Sequence, residues 1–159
     1  MAVRDDAARD LAARLHAALR AADASVGVAE SLTGGELAAL LSSTPGASAT
    51  FVGGVVSYAT DVKRRVLGVT AERVISGECA EQMAAGARRV LAADWALATT
   101  GVAGPDLQED QPPGTVFLGL SGPHGSSSRE YRLSGDRAGI RAASCVAAVE
   151  LLLGEVGRG

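Results

Sequence analysis

The stretch Val26-Gly27-Val28-Ala29-Glu30-Ser31-Leu32-Thr33-Gly34-Gly35-Glu36-Leu37 decides how the chain is organised. A short apolar run ends in Glu30-Ser31, Thr33-Gly34-Gly35 follows, and Leu37, Ala38, Leu40 and Leu41 then resume at helical spacing. That order predicts a strand, a tight turn and a helix start. It lifts the Ser31 hydroxyl to the end of a sheet. Glycine lets backbone approach a ligand closely, and unpaired N–H groups in a helix's first turn face negative charge. Two readings stay open on this stretch alone. Ser31 is a nucleophile with an oxyanion hole beside it, or Ser31 or Thr33 simply caps the helix.

Outward from that turn the pattern alternates. Residues 3 to 22 form an amphipathic helix, with Ala8, Leu11, Ala12, Leu15, Ala18 and Leu19 on one face. After the helix that ends near Ser42, stopped by Thr44-Pro45-Gly46, residues Phe51 to Tyr58 read as a strand with a bulge or close approach at Gly53-Gly54. A further helix starts near Thr60-Asp61 and ends at Gly68, which sets Lys63 in its first turn, where the helix dipole disfavours an ammonium ion. Lys63 is the chain's single lysine; the other fourteen basic residues are arginine. A lysine whose pKa is lowered can accept a proton near neutrality and an arginine cannot, so Lys63 is a candidate base, against the alternative of a lone surface lysine.

Val74-Ile75-Ser76 reads as a turn into a helix over 78 to 92, and Trp95 to Thr100 as a buried strand ended by Gly101-Val102-Ala103-Gly104-Pro105. In open α/β sheets, ligands bind at such turns beyond the carboxyl ends of strands. The segment 106 to 112, with Asp106, Glu109 and Asp110, is expected to be an exposed, mobile loop. Thr115 to Leu120 and Arg129 to Leu133 predict a hairpin around the small-residue loop 121 to 128, which makes the sheet mixed. Ser134-Gly135-Asp136-Arg137 opens a last helix; Arg137 would meet a phosphate or carboxylate, or pair with an acid such as Asp136.

Composition narrows the function classes. At 159 residues the chain suits one domain, 1–159, with an aliphatic core rich in Ala, Val and Leu. No apolar run approaches the roughly 20 residues a bilayer span requires, and no signal-peptide pattern opens the chain, so a cytoplasmic location is expected. The net charge of −3 carries no basic stripe, which disfavours nucleic acid. Cys79 and Cys145 lie in helical patterns without metal-ligand spacing and suggest buried, reduced thiols. Neither a metal nor a cofactor is expected, and the apolar first and last helices suggest a homo-oligomer.

The motifs taken together resemble the CinA C-terminal domain family. Those that carry the resemblance are Ala29-Glu30-Ser31-x-Thr33-Gly34-Gly35, Pro45-Gly46-x-Ser48, Gly54-x-Val56-x-Tyr58 and Lys63-x3-Leu67-Gly68-Val69. Thr100 to Pro105, Pro113-Gly114-Thr115-Val116 and Gly135-Asp136-Arg137 follow in the family's order. The resemblance implies a three-layer α/β/α sandwich with a mixed, mostly parallel sheet, in a stand-alone form. In active members it implies an amidase that deamidates nicotinamide mononucleotide to nicotinic acid mononucleotide. It further implies Ser31 as nucleophile, Lys63 as base and Tyr58 as an assisting group. Glu30, Thr33, Gly34, Gly35, Thr100, Gly101, Ala103, Gly104 and Arg137 would bind the substrate, with backbone N–H groups of Thr33 to Gly35 holding the oxyanion. A non-catalytic nucleotide-binding module of the same fold is the alternative. The sequence differs from the usual family pattern at Leu32, where Cys is common, and in the acidic loop 106 to 112, whose charge would repel a phosphorylated substrate.

Overall fold

The computed structural model describes residues 2–158, so the outermost residues of the expected domain, 1 and 159, lie outside it. The elements in chain order are α1 (Ala2–Ala21), β1 (Val26–Glu30), α2 (Glu36–Ser42), a 3-10 turn (Ala47–Ala49), β2 (Phe51–Val56) and α3 (Thr60–Leu67). Then follow α4 (Gly77–Leu91), β3 (Trp95–Gly101), β4 (Thr115–Gly122), β5 (Gly125–Arg132) and α5 (Arg137–Val156). One five-stranded sheet runs β2-β1-β3-β4-β5. The expected mixed sheet is present. β1 pairs in parallel with β2 and with β3, whereas β3–β4 and β4–β5 are antiparallel, so the parallel part is confined to one side.

Alternation along β1 explains the three layers. Val26 and Val28 belong to the core cluster that holds Leu15 and Leu19 of α1, Leu37 and Leu41 of α2, and Ile140 and Leu152 of α5. Ala29 faces the opposite cluster, with Leu67 of α3 and Met83, Ala84 and Ala87 of α4. All five residues of β1 are buried because helices cover both of its faces. Leu15, Leu19, Leu37, Leu41, Leu97 and Leu152 have no exposed surface, and each such side chain contributes about 1.5–3 kcal/mol relative to an exposed one.

The glycine pair of β2 behaves as expected: the β1–β2 register slips between the pairs Val26↔Phe51 and Gly27↔Gly53, which leaves Val52 as the extra residue of a bulge. β2 stops at Val56, so Tyr58 stands in the loop rather than on the strand. The hairpin expected after Thr115 is also present, but with a correction. Its strands run on through the small residues 121 to 128, and only Pro123 and His124 separate them. Serine and glycine suit this edge strand because β5 exposes most of one face and needs no apolar side chains there.

Candidate active site

The turn after β1 is built by carboxylate and glycine together. Glu30 is fully buried, and its two oxygens accept from the Leu37 amide at 2.8 Å and the Ala38 amide at 3.0 Å, so the last residue of β1 satisfies the first turn of α2. Gly34 and Gly35 take φ of 57° and 106°, the left-handed region that side chains resist, and this allows the chain to reverse within four residues. The amide of Gly34 closes the turn on the Ser31 carbonyl at 3.1 Å, and the hydroxyls of Thr33 and Thr99 lie 2.7 Å apart beneath it. Ser31 is held one step beyond the strand by its own amide, which donates to Thr99 at 2.9 Å.

Parallel pairing aligns three such strand ends. Glu30 is opposite Val56 on one side and Thr99 on the other, so the residues that follow β1, β2 and β3 emerge at one edge of the sheet. β1 leads through α2 on one face to β2, and β2 leads through α3 and α4 on the other face to β3. The edge is therefore the point where the chain changes direction across the sheet, where open α/β sheets leave a crevice. A cleft of about 440 Å³ opens there, lined by Ser31, Tyr58, Lys63, Thr100 and the run Gly101 to Gln108, with Arg137 at its rim.

Lys63 is the unusual member. It sits in the first half of α3 with only 2% of its surface exposed, and its Nζ donates to the Tyr58 carbonyl at 3.0 Å. Burial lowers its pKa below the ordinary value of 10.5, opposed by the Coulombic influence of Cys79 and Glu109. Ser31 Oγ makes no hydrogen bond to Lys63 or to any other described residue; the two residues share the cleft. Cys79 lies close enough to feel Lys63, yet burial pushes its thiol up to about 11, so it is not a thiolate at neutral pH.

The rim is laced by Arg137, the first residue of α5. One guanidinium nitrogen donates to the Gly104 carbonyl at 2.7 Å and another to the Tyr58 hydroxyl at 3.0 Å. Asp136 caps α5 by accepting from the Gly139 amide at 2.8 Å and forms no ion pair with Arg137. Thr100 donates to the Val74 carbonyl at 2.5 Å. Gly101, with φ 155°, passes so close to β4 that a Cβ would sit 2.5 Å from the Thr115 carbonyl oxygen. Among the described residues, no cluster of His, Cys, Asp and Glu could hold a metal ion.

Comparison with known proteins gives the geometry a family. The sequence model described as CinA C-terminal domain matches residues 8–156. The chain belongs to the CinA C-terminal domain family. It is 53% identical over 134 residues to a CinA-like protein of Frankia casuarinae, covering 81% of this chain and 31% of that protein. It is 47% identical over 131 residues to a putative competence-damage inducible protein of Desulforamulus reducens, covering 79% and 32% respectively. The chain thus spans about a third of the length of these curated relatives. Among solved structures it resembles a CinA superfamily protein from Klebsiella pneumoniae 700603, with TM-score 0.92, 32% identity and coverage of 96% and 99%. It also resembles a competence/damage inducible protein from Agrobacterium tumefaciens, with TM-score 0.87, 35% identity and coverage of 92% and 94%.

Within this CinA C-terminal domain the residues singled out in the sequence divide into two groups. Ser31, Tyr58, Lys63, Thr100, Gly101, Ala103, Gly104 and Arg137 line the cleft. Glu30, Thr33, Gly34 and Gly35 do not; they build the turn that presents Ser31. The amide of Gly34 is taken by Ser31, whereas that of Leu32 has no acceptor among the described residues and belongs to a cleft-lining residue. The Leu32 side chain is 4% exposed and packs into the core at the point where its residue lines the cleft.

Sequence reasoning missed Val74, Ile75 and Glu109. The loop 106 to 112 is docked rather than free. Glu109 Oε1 accepts from the amides of Val74 at 2.7 Å and Ile75 at 3.0 Å. No local pattern signals a contact that joins residues thirty-five apart in the chain.

Proposed function

We propose that this domain is a serine amidohydrolase whose substrate is a nucleotide carboxamide, nicotinamide mononucleotide, converted to nicotinic acid mononucleotide and ammonia in pyridine nucleotide recycling. The observation that carries the reading is a buried lysine, the chain's only one, opening on the same cleft as a serine at the carboxyl end of a central strand. Membership of the CinA family, which includes amidases, supports the reaction class.

In this reading neutral Lys63 accepts the Ser31 proton while Oγ attacks the carboxamide carbon. The bond to the Tyr58 carbonyl uses one N–H of Lys63, so the lone pair of the neutral amine is free to take the Ser31 proton once Oγ closes on it, a tightening common when substrate fills an unliganded site. The amide of Leu32, a residue that lines the cleft, joins those of Thr33 and Gly35 as an unpaired donor available to the developing oxyanion. Lys63 then returns its proton to the departing ammonia, leaving an ester on Ser31. Water adds to that ester with Lys63 again as base, the carboxylate leaves, and Ser31 regains its proton. Arg137 would trade its bonds to Tyr58 and Gly104 for the substrate phosphate, a partner of opposite charge.

One observation favours the second reading, a nucleotide-binding module without turnover: Lys63 is bonded to a backbone carbonyl and not to Ser31. Ammonia release from nicotinamide mononucleotide, assayed beside Ser31→Ala and Lys63→Ala, separates the two. Turnover by the parent that is lost in both variants supports the amidase. Saturable binding without turnover by the parent supports the binding module, and neither binding nor turnover rejects this substrate.

A further inference from the structure

We propose that Glu109 is a positioning residue of the cleft: its carboxylate, gripped by two adjacent backbone amides, fastens the loop 105–111 to the cleft wall and stands as the fixed counter-charge to Lys63. This inference rests on the reading that the Ser31/Lys63 cleft is the working site. It gives a role to an acidic segment that sequence alone suggests would be free and repulsive.

Four observations carry it. Both oxygens of Glu109 face the amides of Val74 and Ile75, with Oε1 at 2.7 and 3.0 Å and Oε2 at 3.1 and 3.4 Å. Successive backbone N–H groups that converge on one carboxylate form an anion nest, and here the chain fills the nest with its own side chain. Val74 and Ile75 are themselves walls of the cleft, and the Val74 carbonyl is held from the other side by the Thr100 hydroxyl at 2.5 Å. The loop residues that line the cleft, among them Asp106, Leu107 and Gln108, have no comparable side-chain anchor of their own, and Leu107 is 66% exposed.

The loop is folded to deliver that carboxylate. Gln108 and Gln111 exchange backbone hydrogen bonds of 3.1 and 2.8 Å around Glu109 and Asp110, which take φ of 49° and 61°. Both are left-handed positions that side chains resist, in a tight two-residue turn where glycine or asparagine is the usual occupant. The acid is therefore held in an unfavourable backbone conformation, and its two short hydrogen bonds are the contact that offsets it.

The groups that act on Lys63 are few. Tyr58 offers its carbonyl, Cys79 on α4 and Glu109 on the loop exert Coulombic influence, and Asp106 and Arg137 line the cleft that Lys63 shares with Val74 and Ile75, the two residues that hold Glu109. Cys79 and Glu109 both oppose the burial that lowers Lys63, and the Cys79 thiol, raised to about 11, carries no charge near neutral pH, where the Glu109 carboxylate does. Glu109 limits how far burial depresses Lys63.

The test needs no substrate, because Lys63 is the only lysine and isotope-labelled lysine reports a single side chain. Nuclear magnetic resonance would follow the Lys63 titration in the parent, Glu109→Gln and Glu109→Ala, together with exchange of the Val74 and Ile75 amide protons. In Glu109→Gln the Lys63 midpoint should move to lower pH, since a negative neighbour has gone while side-chain length is kept. In Glu109→Ala the two amides should exchange roughly tenfold faster or more, as expected when charge-assisted hydrogen bonds are lost. Should Glu109→Ala not fold, the exchange is read in Glu109→Gln, where two donors compete for one neutral oxygen and must also exchange faster. An unchanged or raised Lys63 midpoint in Glu109→Gln, or unchanged amide exchange, overturns the proposal.

Ammonia release keeps this outcome separate from the fate of the amidase reading. Turnover by the parent without either spectroscopic change rejects the role of Glu109 alone. Both spectroscopic changes without turnover reject the amidase alone. With turnover and a lowered Lys63 midpoint, the acid limb of kcat/KM moves to lower pH in Glu109→Gln, a shift that a merely structural contact would not produce.

Discussion

His16 and Lys63 are both ionisable, both buried, and treated oppositely by the fold. His16, on α1, has its Nδ1 2.6 Å from the Thr50 hydroxyl and its Nε2 donating to the Leu41 carbonyl at 2.8 Å, so the ring ties α1 to the end of α2 and to the entry of β2. Its polar atoms are fully used. Lys63 has three protons to donate when charged and one partner, the Tyr58 carbonyl, with a cavity in front of it. A buried polar group with every bond made is a structural staple, whereas one left under-bonded beside a cleft costs stability and stays available for chemistry.

The largest effect should come from removing the under-bonded partner. If the amidase reading holds, Lys63→Met and Ser31→Ala each lower kcat by roughly 10³-fold or more, the scale of losing a nucleophile or its base. Lys63→Met should at the same time raise stability by roughly 0.5–2 kcal/mol at neutral pH, since an apolar chain of similar length replaces a buried amine. Thermal unfolding and turnover assays on the same variant check both. Lost turnover without a stability gain would mean that burial costs Lys63 little.

Titration sharpens the contrast further. The folded pKa of Lys63 lies below 10.5, so between those two values the unfolded chain holds the extra proton. Stability should therefore rise as pH climbs from the folded value towards 10.5, and Lys63→Met should lack that rise. On the kinetic side kcat/KM should fall about tenfold for each pH unit below the Lys63 midpoint, as the base is protonated. A flat profile through that range would remove Lys63 as the base.

The staple is tested the other way. His16→Ala deletes two buried hydrogen bonds and leaves a small cavity between α1 and the β2 entry, so stability should drop by roughly 2–4 kcal/mol. Turnover per folded molecule should stay within about twofold, because His16 is not among the residues that line the cleft. Denaturant melts paired with active-site-normalised rates make this comparison.

How much of this was legible in the sequence follows from the range of the interactions. The Ser31 turn, the start of α3 around Lys63 and the cap of α5 were readable because each depends on residues within a few positions of one another. The short apolar run from Val26 to Ala29 likewise predicted a strand. The role of Glu30 was hidden because its acceptors are two amides of the next helix, and a carboxylate beside a serine suggests chemistry before it suggests a cap. Glu109 was hidden for the opposite reason. A charge in a proline-containing acidic run looks solvated, and only the tertiary fold brings the Val74 and Ile75 amides to it. The extent of β4 and β5 was underestimated since serine and glycine carry little strand signal on an exposed edge.

Arg137 offers the smallest effect and the finest distinction between bracing and binding. Its two hydrogen bonds, to Gly104 and Tyr58, join the loop after β3 to the loop after β2 in the absence of ligand. If that is all it does, Arg137→Gln loosens the rim and changes every substrate alike. If it instead meets the phosphate, the substitution should raise KM for nicotinamide mononucleotide about tenfold, near 1.4 kcal/mol, and leave kcat within about threefold. Nicotinamide riboside, which carries the same carboxamide and sugar without the phosphate, supplies the control. Its kcat/KM should be the same in Arg137→Gln as in the parent, because no phosphate interaction remains to be lost. Equal losses on both substrates would make Arg137 a brace of the same kind as His16, and would move the search for a phosphate partner to the unpaired backbone amides beside Ser31.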